Sequence, residues 1–182
     1  MMIDASLAFV SPSGAAQSMV GTDGTDIAFN NVIDLLGSGV GTAPANIIGT
    51  VSVFGEDPGI GQVKPDIQIN IGTAFTTGNA ATPEFVVQYA ADQGLAGSYQ
   101  PSTWYDAGAT GTNAVANLTA GAVVRMDIPP TPPVLHTPRY MRIVMRPTGS
   151  THLTAGTISS AYITPARDDQ AQRYAARNYV VA

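Results

Sequence analysis

Asp66-Ile67-Gln68-Ile69-Asn70-Ile71 alternates polar residues and isoleucines without a break. Successive side chains of a β-strand point to opposite faces, so this order puts three isoleucines on one face and three polar groups on the other. The stretch predicts a strand with one buried and one wet face. Short β-branched runs recur on either side of it, over 46–54, 84–90, 122–128, 140–145 and 157–163. Turn chemistry separates them at Asp57-Pro58-Gly59, Thr77-Gly78-Asn79, Gln93-Gly94, Asp106-Ala107-Gly108 and Pro147-Thr148-Gly149, where Pro presets φ and Gly or Asn accepts positive φ. About eight short strands joined in this way predict an all-β chain built as a jelly-roll-like antiparallel β-sandwich.

A chain of 182 residues suits one domain, 1–182, with extended arms at 1–13 and 165–182. The second arm has two readings. Pro165 at its start, Asp168 and Asp169 early and Arg173 and Arg177 late suit a helix dipole. The segment has no apolar stripe, however, and Tyr174 and Tyr179 can equally serve as aromatic anchors of an extended arm, the reading adopted here. Ile3, Leu7 and Phe9 are the corresponding anchors at the other end.

The composition offers little reactive chemistry: no Cys, two His, a single lysine at Lys64 and 12% charged residues. Without Cys there is neither a disulfide framework nor a thiolate metal site. The first residues lack the basic start and continuous apolar core of a signal peptide, and no apolar run approaches the ~20 residues that span a bilayer. A soluble protein made in the cytoplasm is the expectation.

Charge is unevenly distributed. Residues 1–124 hold ten Asp or Glu against Lys64 alone, whereas residues 125–182 hold seven arginines against Asp127, Asp168 and Asp169. That order predicts two oppositely charged surfaces, suited to docking on a partner or on further copies of the chain and sensitive to salt. In Tyr140-Met141-Arg142-Ile143-Val144-Met145-Arg146, alternation sets Arg142 and Arg146 opposite the apolar residues. Arg139 and Arg142 are accordingly expected at a partner interface.

The candidate chemical motifs are weak. Gly37-Ser38-Gly39-Val40-Gly41 lacks the spacing of a nucleophile elbow. His136 and His152 have no second ligand at metal spacing and are read as lone loop histidines. Gly21-Thr22-Asp23-Gly24-Thr25-Asp26 has too few carboxylates for a calcium loop and is read as a turn. Gly59-Ile60-Gly61 has no third glycine, and no Walker-type lysine exists. Pro129-Pro130-Thr131-Pro132-Pro133 is read as a stiff loop between strands rather than a polyproline ligand. A sequence pI near 4.6 argues against binding phosphate backbones. Tyr99, Trp104 and Tyr105 lie in a loop-like stretch over 94–111, as a lid on the core or as interface anchors. No catalytic, cofactor-binding or metal residues are assigned, and no nucleic acid, membrane or small-molecule substrate is expected.

Several segments, taken in order, carry a resemblance: Met2-Ile3-Asp4-Ala5, Asn31-Val32-Ile33-Asp34-Leu35, Asn70-Ile71-Gly72-Thr73-Ala74-Phe75-Thr76 and Pro83-Glu84-Phe85-Val86-Val87-Gln88. They continue with Leu118-Thr119-Ala120-Gly121, Arg139-Tyr140-Met141-Arg142-Ile143, Ala155-Gly156-Thr157-Ile158-Ser159-Ser160-Ala161 and the closing residues 168–182. The chain resembles the capsid cement, or decoration, proteins of tailed bacteriophages, with Gly/Pro-rich additions over 37–45, 55–61 and 129–138. The resemblance implies a jelly-roll-like sandwich on the outer surface of an icosahedral head, bound as a homodimer, with a trimer as the alternative. It would reinforce the major capsid protein shell across capsomers and carry no catalysis. The interface residues expected are Ile3, Leu7, Phe9, Arg139, Arg142, Arg167, Arg173, Tyr174, Arg177 and Tyr179. The competing reading is a carbohydrate- or receptor-binding jelly-roll module of a virion, with Tyr99, Trp104 and Tyr105 as its platform.

Overall fold

A computed structural model describes residues 7–11, 14–35, 47–48, 65–94, 100–135 and 138–164. The strands are β1 (Ala8–Val10), β2 (Gln17–Ser18), β3 (Ile27–Ala28), β4 (Val32–Asp34), β5 (Ile47–Ile48), β6 (Asp66–Thr77), β7 (Pro83–Asp92), β8 (Pro101–Thr112), β9 (Val123–Asp127), β10 (Tyr140–Pro147) and β11 (Leu153–Thr164). A 3-10 turn, Val115–Asn117, precedes β9. Among the described residues no helix is long and apolar enough to cross a membrane.

The strands form two sheets. Sheet A has the order β1-β11-β6-β9, with β2 also on β11; sheet B has the order β5-β4-β10-β7-β8, with β3 also on β10. Every pairing is antiparallel except that of β4 with β5. Setting aside the two-residue strands leaves eight, and their interleaving between the sheets is that of a jelly roll, in which the chain repeatedly crosses from one sheet to the other.

The core lies between the sheets, and the alternation read from sequence supplies it. Ile67, Ile69 and Ile71 of β6 point inward, as do Met141, Ile143 and Met145 of β10. Phe85 stacks edge-on against Phe29 and Phe75, with centroids 6.1 and 6.5 Å apart. Gly156, at φ +138, lets β11 pass directly beneath the Phe75 ring.

Several expectations change within the described residues. Residues 8–10 of the segment read as an arm are strand β1, bonded to β11, and Phe9 is fully enclosed in the core. Burying an aromatic side chain outweighs leaving it for a partner, so Phe9→Asp would strike the fold itself. Leu7 is half-buried and packs against the same core. The loop-like stretch over 94–111 contains the 12-residue strand β8, and Asp106-Ala107-Gly108, read as a turn, lies within it at a register shift opposite Val87 and Gln88. As an edge strand β8 is held by its backbone pairing with β7 and leaves most side chains half-exposed or exposed, so it needs no β-branched or alternating pattern. The second arm, 165–182, lies outside the described residues, and with it Arg167, Arg173, Tyr174, Arg177 and Tyr179; Ile3 lies outside them at the other end.

Pro129 bridges the two edge strands. It fills the space beside Gly108, where a Cβ would lie 2.7 Å from its ring, and its carbonyl accepts a bond from the Tyr89 hydroxyl at 3.1 Å. Burial pushes the Tyr89 phenol up to about 12. The proline run lies between β9 and β10, as expected of an interstrand loop, and Pro129 sits where β8 and β9 part.

Candidate partner-binding face

β10 is central to sheet B, flanked by β4 and β3 on one side and β7 on the other. Its inward residues are apolar, so Tyr140, Arg142, Val144 and Arg146 lie on the opposite face of the sheet, where Tyr140 and Val144 are buried and the two arginines are part-exposed. The register sets Arg142 beside Gln88 on β7, and Gln88 beside Asp106 on β8. Three strands thus contribute one side chain each to a single row.

The row is bonded throughout. Arg142 Nε donates to Gln88 Oε1 at 2.8 Å, and Gln88 Nε2 donates to Asp106 Oδ1 at 2.7 Å. Arg146 Nη1 donates to Asp106 Oδ2 at 2.7 Å, while its Nε and Nη2 hold Asp26 at 3.1 and 2.8 Å. The Arg146 bond, aided by Gln88, holds the Asp106 carboxyl below the usual carboxylate range, against the opposing effect of its partial burial. Bonds to Asp26 and Asp106 likewise raise Arg146 above its ordinary value.

Next to this row Trp104 covers a small apolar cluster of Val32, Ala90 and Tyr140, and the Arg142 guanidinium stacks on its ring 4.1 Å from the centroid. Trp104 is thus a lid, placed over the outward face of sheet B rather than over the main core. Tyr105 is 37% exposed, and Tyr99 lies outside the described residues. The Tyr140 hydroxyl donates to Asp92 Oδ2 at 2.6 Å, and burial followed by that bond raises the phenol above its ordinary range.

Arg139, expected at an interface, is engaged within the chain. It is 8% exposed, it grips Asp34 through Nε and Nη2, and its Nη1 reaches Asp92 at 3.3 Å. Asp34 is fully buried. The remaining described arginine, Arg125, lies 3.8 Å from Asp66 and donates to Gln68 Oε1 at 2.6 Å.

Among the described residues these pairings replace the expected separation of charge, while Arg167, Arg173 and Arg177 lie outside those residues. Asp26, Asp34, Asp66, Asp92 and Asp106 come from the acidic part of the chain and meet Arg125, Arg139 and Arg146 from the basic part. The charge separation in sequence is folded into ion pairs within one molecule. His152 is no lone histidine either: its Nδ1 meets Asp23, in the turn where Gly24 adopts φ +65. Salt sensitivity is accordingly expected in stability as well. Arg146→Met is expected to cost about 1 kcal/mol in urea unfolding at low ionic strength, and a difference that does not shrink at 1 M salt would contradict the ionic origin.

Sequence reasoning missed Gln88, Asp106 and Asp26 as members of this face. Gln88 could have been placed outward, since 85 and 87 read as inward positions; nothing local marks the strand to which it is paired. Elsewhere, a cleft of about 370 Å³ lies between β8 and β9, lined by Gly108, Thr110, Arg125, Met126, Asp127 and Pro129. It holds Arg125 already committed to Asp66 and Gln68. No protein-family model matches the chain, and no curated protein matches it in sequence.

Proposed function

We propose that the chain is a structural virion protein, a cement protein that binds the outer surface of an icosahedral phage head and reinforces the major capsid protein shell across capsomers, as a homodimer and without catalysis. One observation carries the reading. Five of the short segments on which the resemblance rests, scattered along the sequence, are neighbours in the fold. Asn31–Leu35 on β4 and Arg139–Ile143 on β10 are joined by the buried Asp34–Arg139 pair. Pro83–Gln88 of β7 lies on the other side of β10, and Asn70–Thr76 of β6 pairs with Ala155–Ala161 of β11. Segments that build one contiguous core are those expected to persist among relatives while the Gly/Pro-rich loops vary. A repeated array gives such a protein its hold through avidity, since each contact can be modest when many are made together.

The competing platform, a sugar stacked on Trp104, is disfavoured because Arg142 already covers one face of that ring. The test is co-sedimentation of the purified chain with mature phage heads stripped of decoration. Saturation at a fixed number of copies per capsid subunit is expected. A folded chain that does not bind would overturn the reading. Removing residues 168–182 is expected to abolish binding while leaving the far-ultraviolet spectrum of the sandwich unchanged.

A further inference from the structure

We propose that Arg142, held over Trp104 on the outward face of sheet B, receives a carboxylate side chain from a protein partner. Of the four described arginines, Arg125, Arg139 and Arg146 each have a carboxylate within 4.0 Å, at 3.8, 2.9 and 2.7 Å respectively; Arg142 has none among the described residues. Its Nε is spent on Gln88, and neither terminal nitrogen donates to a described residue. Its two-nitrogen edge, the edge that matches a carboxylate in a bidentate pair, is thus without a hydrogen-bond partner among the described residues.

The arginine is also fixed in place. Gln88 holds its Nε, Asp106 holds Gln88, Arg146 holds Asp106, and Asp26 holds Arg146. Trp104 supports the plane of the guanidinium from one side. A side chain ordered before binding loses little further freedom when the ligand arrives. Partial burial disfavours its charge, lowering the pKa, and an incoming carboxylate would relieve that cost.

The surroundings select the kind of ligand. Asp26 and Asp106 balance Arg142 and Arg146, so the cluster is neutral overall, and a polyanion approaching it meets two carboxylates. A single carboxylate touching only the Arg142 edge avoids them. An arginine stacked on a tryptophan is also the composition of residues that dominate protein interfaces. The proposal deepens the docking function above and rests on it for the identity of the partner.

Trp104 is the only tryptophan of the chain, so its emission reports on this site. The full chain is titrated at constant ionic strength with N-acetylglutamate α-amide, N-acetylneuraminic acid and inorganic phosphate. A saturable emission change with the glutamate amide is expected, weakened at least tenfold in Arg142→Gln and partly retained in Arg142→Lys, with far-ultraviolet spectra unaltered. No saturable change, or one that survives Arg142→Gln, overturns the proposal. Tighter saturation by the acidic sugar or by phosphate overturns the assignment to a protein carboxylate. Stripped heads separate the two readings. If wild type and Arg142→Gln bind heads equally, this inference falls and the cement function stands. If heads bind neither while the glutamate amide still titrates, the cement function falls and the carboxylate site stands.

Discussion

Asp34→Ala is expected to lower the unfolding free energy by about 3–5 kcal/mol, measured by urea denaturation. Asp34 is fully buried, and Arg139 meets it through Nε and Nη2 at 3.1 and 2.9 Å. Both residues also make further interactions. Removing the carboxylate leaves a guanidinium that is 8% exposed and loses its 2.9 Å ion pair, with Asp92 at 3.3 Å the other carboxylate beside it among the described residues. Charges taken out of water are costly unless paired, so the loss exceeds what an exposed ion pair would show. Replacing both partners, as Asp34→Leu with Arg139→Met, is expected to recover most of the loss, because the charge left behind, Asp92, is partly exposed and keeps its bond from the Tyr140 hydroxyl. A single-variant effect below about 1 kcal/mol would mean that water reaches the pair and that it does not join β4 to β10 as the structure has it.

Gly156→Ala is expected to cost about 2–5 kcal/mol by two separable causes. At φ +138 a side chain is strained whatever the space, on the order of 1–3 kcal/mol. A Cβ there would also lie 2.8 Å from Phe75 Cγ, against a ring that is itself 3% exposed and packed on Phe85, adding about 1–3 kcal/mol of overpacking. Adding Phe75→Leu is expected to remove part of the second cost and none of the first. If Gly156→Ala unfolds at the same urea concentration as the parent, the close passage of β11 under Phe75 is wrong.

Some of the fold was legible in the residues because it depends on local period. Ile67, Ile69 and Ile71 face inward as their alternation requires, and Met141, Ile143 and Met145 do the same. Gly94 and Gly149 take positive φ where turns were expected. β8 escaped notice because an edge strand held by its neighbour's backbone carries no alternating signature, and its glycines and Asp106 imitate a turn. Phe9 was misplaced because an apolar residue near the start of a chain has the same sequence signature whether it anchors on a partner or inserts in its own core. The candidate site was legible only in part: the outward placement of Arg142 and Arg146 follows from alternation, but their partners do not.

What the sequence determined by itself, then, is the one-dimensional pattern: which faces of β6 and β10 are apolar, where the chain turns, and that acids precede arginines. Only the tertiary structure decided which strands are neighbours. The jelly-roll order brings β10 between β4 and β7, and with it Arg139 to Asp34 across a sequence separation of 105 residues and Arg146 to Asp26 across 120. Alternation is a property of one strand's backbone, whereas pairing is chosen by the packing of the whole core, so among the described residues acids and arginines far apart in the chain become internal ion pairs and Arg142 is the arginine with no carboxylate within 4.0 Å.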